Sequence, residues 1–329
     1  MKEVLFALLC FSAQLCFSQT DGEIINKTKI ENFQALLEYV RTTEGRDTVL
    51  LDPERFHHFE EADVYGITYW SDSLKVKGFM LKPKSSGKHP CIIYNRGGSL
   101  DYGTLTHFIS SIGLGELARL AAAGYVIVGS QYRGNGGGEG QEEYGGAEIR
   151  DVLNLIPLLA STPEADTSRI GIFGWSRGGA MTFQTLKRTN KIKAIAVGGP
   201  ATDYLAIAKN DPFIDKYWAE WVPGYAENRV VALQQRSVIH WVDQLPRNVP
   251  VLLLHGNLDW KVKASLILKL ALEFERYLIP YRLVMFDKGK HAIKEHREEV
   301  FEQLTRWFNR YLRDREALPD VAYKVSRAY

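Results

Sequence analysis

A serine between glycines, an aspartate and a histidine, each placed after an apolar run, are the residues of this sequence best suited to covalent chemistry. Ser176 lies in Gly174-Trp175-Ser176-Arg177-Gly178, after the apolar run 170–173 and before the helix-like stretch 179–184. A strand that turns sharply into a helix lifts such a hydroxyl above a sheet, and glycine on either side lets the two segments pass without a Cβ clash. The alternative is an incidental serine in a glycine-rich turn. A hydroxyl is a weak nucleophile until a base takes its proton, and the base needs a group that fixes its tautomer. The run 251–254 leads into His255-Gly256-Asn257-Leu258-Asp259, which makes Asp259 the candidate acid. The run 281–286 leads into Asp287-Lys288-Gly289-Lys290-His291, which makes His291 the candidate base. Asp287 lies too soon after its strand to be the preferred acid, His296 falls in the following helix, and His255 ends a strand, where a structural role is expected. The oxyanion of an attacked carbonyl needs preorganised donors. The backbone N–H of Arg177 is one, and the loop 95–99 supplies the other, through the Gly97 amide or the Arg96 side chain.

These residues require strands that all end on one edge of a sheet. The runs 64–70 and 76–81, joined by a polar turn, read as a hairpin. Strands at 91–94, 125–129, 170–173, 192–197, 249–254 and 281–286 then alternate with helices at 114–123, 147–159, 264–278 and 298–313. Alternation of this kind predicts an α/β fold with a mostly parallel eight-stranded-type sheet and helices on both faces, and the strand-turn-helix around Ser176 resembles the nucleophile elbow of the α/β-hydrolase fold. The catalytic domain is expected over 63–315, preceded by a helical arm (20–62) and followed by a tail (316–329). Residues 200–246 interrupt the alternation and read as a helical insertion over the site, rich in aromatics: Tyr217, Trp218, Trp221, Tyr225 and Trp241. Trp175, Trp218 and Trp221 are candidates to line a substrate pocket, the alternative being packing onto the core.

The 329 residues suit one large α/β domain with additions, and a net charge of +2 with mixed signs gives no nucleic-acid footprint. Met1-Lys2 followed by the apolar run 4–11 reads as a secretory signal over 1–19, cleaved near Ser18-Gln19, so a secreted or periplasmic chain without stable membrane insertion is expected. A lipid anchor on Cys10 or Cys16 is the minor alternative. Of the three cysteines, Cys91 alone would remain after cleavage, inside a strand. No pattern of metal ligands is present, and neither a metal nor a cofactor is expected.

Several segments taken together resemble the catalytic domain of the prolyl oligopeptidase family of serine peptidases. They are Gln131-Tyr132-Arg133-Gly134-Asn135-Gly136-Gly137, Gly174-Trp175-Ser176-Arg177-Gly178-Gly179, Gly199-Pro200-Ala201-Thr202-Asp203-Tyr204, and His255-Gly256-Asn257-Leu258-Asp259 with Val262, together with His291. The likeness runs over about 67–312 and implies Ser176, Asp259 and His291 as a catalytic triad. About sixty residues precede it, so the β-propeller usual in family peptidases is not expected. Many members carry tyrosine or histidine where this sequence has Arg96. The resemblance implies cleavage of a small peptide or amide through an acyl-enzyme. The alternatives are a carboxylesterase of the dienelactone hydrolase or acetyl xylan esterase kind, which looks similar at these motifs, and a silent binding protein on a hydrolase fold.

Overall fold

A computed structural model describes residues 19–44, 58–106 and 113–321. The expected signal segment, with Cys10 and Cys16, lies outside these residues but for Gln19, as does the end of the tail. Among the described residues one sheet of nine strands runs in the order β1-β2-β3-β5-β4-β6-β7-β8-β9. Its antiparallel side comprises β1 (Ile24–Ile30), β2 (Ala62–Ser71) and β3 (Leu74–Pro83). Strand β3 meets β5 (Val126–Ser130) antiparallel, and from β5 onward every pairing is parallel, through β4 (His89–Asn95), β6 (Ala165–Trp175), β7 (Ile192–Gly198), β8 (Val251–Gly256) and β9 (Tyr281–Phe286).

Helices cover both faces: α1 (Phe33–Glu44), α2 (Leu114–Ala122), α3 (Ile149–Leu153), α4 (Leu155–Ala160) and α5 (Arg177–Leu186). Then come α6 (Tyr204–Asn210), α7 (Pro212–Trp221), α8 (Tyr225–Gln234), α9 (Ala264–Tyr277) and α10 (Arg297–Phe308). Central strands are apolar nearly throughout because both faces are buried, as parallel sheets require. Side chains alternate between two cores. Ile92 and Tyr94 of β4 join Leu114 and Leu117 of α2 and Leu304 of α10 on one face. Cys91 and Ile93 join Leu158 of α4, Met181 of α5 and Phe274 of α9 on the other.

Three features depart from the sequence reading. The arm expected to be helical over 20–62 contains β1, so the sheet gains a strand beyond eight; residues 45–57 of the arm lie outside the description. Ile24, Thr28 and Ile30 favour extended backbone, and the free edge of β2 takes the ladder hydrogen bonds of β1. Only then does Asn32 cap α1, its Oδ1 accepting from Ala35 N at 2.9 Å. The helix expected over 147–159 divides at Asn154 into α3 and α4. Pro157 offers no N–H to the carbonyl four residues back, and the Asn154 side-chain amide donates to Ser71 Oγ at 3.0 Å. The last helix ends at Phe308 and closes in a π-helical turn, Asn309–Arg313.

The insertion is helical, made of α6, α7 and α8, and has its own small core. Tyr204, Trp218, Tyr225 and Leu233 pack there with Tyr144, Ala180 and Val262 from the main domain.

Candidate active site

Ser176 occupies the one-residue junction between β6 and α5, at φ 57° and ψ −121°. A non-glycine residue reaches this conformation only where its surroundings over-determine it. Here its N–H donates to Gly198 O at 2.8 Å, and its carbonyl accepts from Gly179 N at 2.9 Å and Ala201 N at 3.2 Å. The flanking glycines are there for approach: a Cβ on Gly178 would collide with the Asn95 carbonyl, and one on Gly174 with the Gly178 carbonyl.

Asp259 and His291 stand on the turns after β8 and β9. The two turns are joined by backbone hydrogen bonds, Asn257 N to Phe286 O at 3.0 Å and Leu258 N to Gly289 O at 2.9 Å. Asp259 Oδ1 accepts from the N–H groups of Lys261 and Val262, both at 2.9 Å. Its Oδ2 is left to accept from His291 Nδ1 at 2.7 Å. The Ser176 hydroxyl donates to His291 Nε2 at 2.9 Å. The Asp259 carboxylate is fully buried, whereas the imidazole keeps a partly open edge. Gly199, at φ +47°, leaves room for the pair, since a Cβ there would sit 3.3 Å from both Asp259 Oδ2 and His291 Nδ1.

The rival residues make other bonds. His255 is completely buried and bonds the Val262 carbonyl at 2.9 Å. Burial holds its imidazole below the usual value, against the pull of Asp259. His296 Nε2 bonds the carbonyl of Asp287 at 2.7 Å.

Around the position an oxyanion would occupy, the structure separates the sequence candidates. Arg177 opens α5, so its N–H has no acceptor within the helix. Gly97 lies against the nucleophile, with its Cβ position 3.2 Å from Ser176 Cβ and 2.9 Å from the Trp175 carbonyl. Arg96 is excluded as a side-chain donor. Its guanidinium is wholly buried and committed to Gln131 O at 2.6 Å, Gly97 O at 3.1 Å and Leu100 O at 3.2 Å. A buried cation needs such partners to offset its lost hydration. Trp175 is likewise not a pocket wall: it is 1% exposed, and its indole N–H donates to His291 O at 3.1 Å. It supports the histidine turn from beneath. Trp218 is buried against Tyr204, with ring centroids 4.6 Å apart. Trp221 is half-buried beside Tyr217 and remains the candidate wall residue.

The sequence reading assigned nothing to Glu142 and Glu148. Both are buried and hold the Arg177 side chain, Nη1 on Glu142 at 2.9 Å and Nη2 on Glu148 at 2.6 Å. No sequence signal marks them, since only the burial of Arg177 shows that its cation needs a buried carboxylate.

The arrangement is competent for acyl transfer: a hydroxyl aimed at a base, a base oriented by an acid, and main-chain N–H groups beside the attacked carbon. Comparison with known proteins gives the chain's family. A model of the prolyl oligopeptidase family matches residues 112–315. The "Uncharacterized peptidase YtmA" of Bacillus subtilis is 30% identical over 256 residues, covering 74% of this chain and 92% of the relative. Human dipeptidyl peptidase 8 is 27% identical over 232 residues, 66% of this chain and 25% of that one. The solved acylaminoacyl peptidase of Pyrococcus horikoshii shares the fold, with a TM-score of 0.67 at 24% identity, covering 79% of this chain and 44% of that one. This chain therefore spans nearly all of the Bacillus relative and less than half of the other two. It belongs to the prolyl oligopeptidase family of serine peptidases.

Proposed function

We propose that this chain cleaves a peptide or amide bond through an acyl-enzyme on Ser176. The observation that carries the reading is the unbroken hydrogen-bonded chain from Ser176 Oγ through His291 to Asp259 Oδ2, at 2.9 and 2.7 Å. His291 Nε2 takes the hydroxyl proton as Oγ bonds to the carbonyl carbon, and the carbonyl π pair moves to oxygen. The N–H groups of Arg177 and Gly97 receive that oxyanion. Collapse expels the leaving amine, which takes the proton from His291. Water, deprotonated by the same imidazole, then releases the acid and restores Ser176. Asp259 keeps the proton of the neutral ring on Nδ1, so Nε2 stays a base. The half-buried Trp221 and Tyr217 of α7 are the proposed apolar wall for the acyl side.

The amide reading is tested by turnover of matched aminoacyl anilides, short peptides and acyl esters. Hydrolysis of the amide and peptide members supports it. Hydrolysis of esters alone would make the protein a carboxylesterase.

A further inference from the structure

Four buried side chains, Arg96, Arg177, Glu142 and Glu148, form one ion-paired network around the residue that follows Ser176. Their formal charges cancel. Glu142 touches every segment that meets there. Its Oε1 accepts from Leu100 N at 2.6 Å, in the loop that carries Gly97. Its Oε2 accepts from Arg177 Nη1 at 2.9 Å and from Asn135 Nδ2 at 3.1 Å, and lies 3.8 Å from Arg96 Nη2. Arg177 Nη1 also reaches Gly98 O at 3.1 Å. On the far side, Glu148 accepts from Gly145 N at 2.7 Å and Glu143 N at 3.0 Å, which closes the loop 142–148 around the guanidinium. The rings of Tyr144 and Tyr132 complete the enclosure, 4.3 and 5.2 Å from Arg177 Cζ.

The main-chain donors proposed for the oxyanion belong to two segments that are far apart in sequence, the loop after β4 and the first residue of α5. Their separation must be held closely, because an oxyanion donor acts over hydrogen-bond distances. No ladder hydrogen bond can set this gap, since both donors lie past the ends of their strands. We propose that Glu142 is a positioning residue for this reaction: through Leu100 N and the Arg177 guanidinium it fastens the loop of Gly97 to the start of α5 and so sets the gap of the oxyanion hole. The inference rests on the acyl-enzyme reading above. A single carboxylate bridging both segments serves this better than two separate anchors, because any relative shift strains one of its bonds. Burial opposes the charge on Glu142, but Arg177 and Arg96 overcome it and hold the carboxyl below its usual range. The bridge therefore stays ionised through the neutral range.

The test compares the parent with Glu142→Gln and with the charge-balanced double variant Glu142→Gln/Arg177→Gln. Five quantities are read on each: melting temperature, fluorophosphonate labelling of Ser176, kcat and KM on one anilide, and the inhibition constant of a peptide aldehyde. The aldehyde forms a hemiacetal whose oxygen occupies the oxyanion position. In a folded variant we expect labelling to persist, kcat to fall by about 10- to 100-fold with KM nearly unchanged, and the aldehyde to weaken by a similar factor. A folded variant with kcat and aldehyde affinity within about twofold of the parent overturns the proposal. So does an effect on KM alone. Unfolding of both variants overturns it too, because the quartet would then hold the fold rather than the gap. Failure of the parent to label would instead remove the acyl-enzyme reading.

Discussion

The two sides of Ser176 are built from different materials. On the base side the work is done by one carboxylate and one imidazole, placed by main-chain hydrogen bonds between the turns after β8 and β9. On the oxyanion side the main chain is placed by side chains, through a buried network of two arginines and two glutamates. The difference follows from what each side must do. The imidazole has to accept and release a proton, so its surroundings are left mostly uncharged and one ring edge stays open. The oxyanion donors have only to hold still, and buried ion pairs with every oxygen satisfied are suited to that, since breaking one partner is costly. The small term on one side is a tautomer, and on the other a distance.

The largest expected effect lies on the base side. Asp259→Asn keeps the volume and one acceptor, yet its amide N–H favours the wrong tautomer of His291. We expect kcat to fall by about 10⁴-fold with the melting temperature little changed. A loss of tenfold or less at neutral pH would place the orienting role elsewhere. The Glu142 variants come next, with a smaller loss confined to kcat and to aldehyde affinity.

The smallest effect distinguishes the two sides by acid. Burial lowers the pKa of His255 from 6.5 in the folded protein, with Asp259 Oδ2 3.7 Å away and His291 beyond it. The unfolded chain then binds a proton that the folded one does not. Stability from this group is full above pH 6.5 and falls as the pH drops from there toward the lowered value. Glu142 is also lowered in the folded state, from 4.5, so its contribution is full above that pH and is lost only below it. Melting temperature measured against pH should therefore decline first through the base side, and His255→Gln should flatten the curve between pH 6.5 and 4.5 without altering the steeper fall below. An unchanged slope in that window would contradict the assignment.

How far each side could be read in the sequence follows the same division. Ser176, Asp259 and His291 are legible because each follows a run of apolar residues, and a parallel sheet brings such run ends to one edge. The central strands are legible for a related reason: burial on both faces leaves them apolar throughout. Strand β1 is not, because its residues from Ile25 to Lys29 are all exposed, and with Asn26, Lys27 and Lys29 among them it looks like a polar arm. The oxyanion side is hidden for a different reason. Glu142, Glu148, Arg96 and Arg177 are residue types that usually sit in water, and only tertiary contact tells a buried ion pair from a solvated one. Trp175 misleads in the opposite direction. Its place beside the nucleophile suggests a pocket wall, whereas the indole is buried in the core and donates to His291 O.

The central claim is that Ser176 is the atom donor to an acyl-enzyme, and covalent labelling reaches it most directly. The folded protein is treated with a fluorophosphonate, digested, and searched by mass spectrometry for the peptide that carries the adduct. The account predicts one adduct, on Ser176, absent in Ser176→Ala, together with the loss of amide turnover in that variant. An adduct on another residue, or turnover that survives Ser176→Ala, would contradict it.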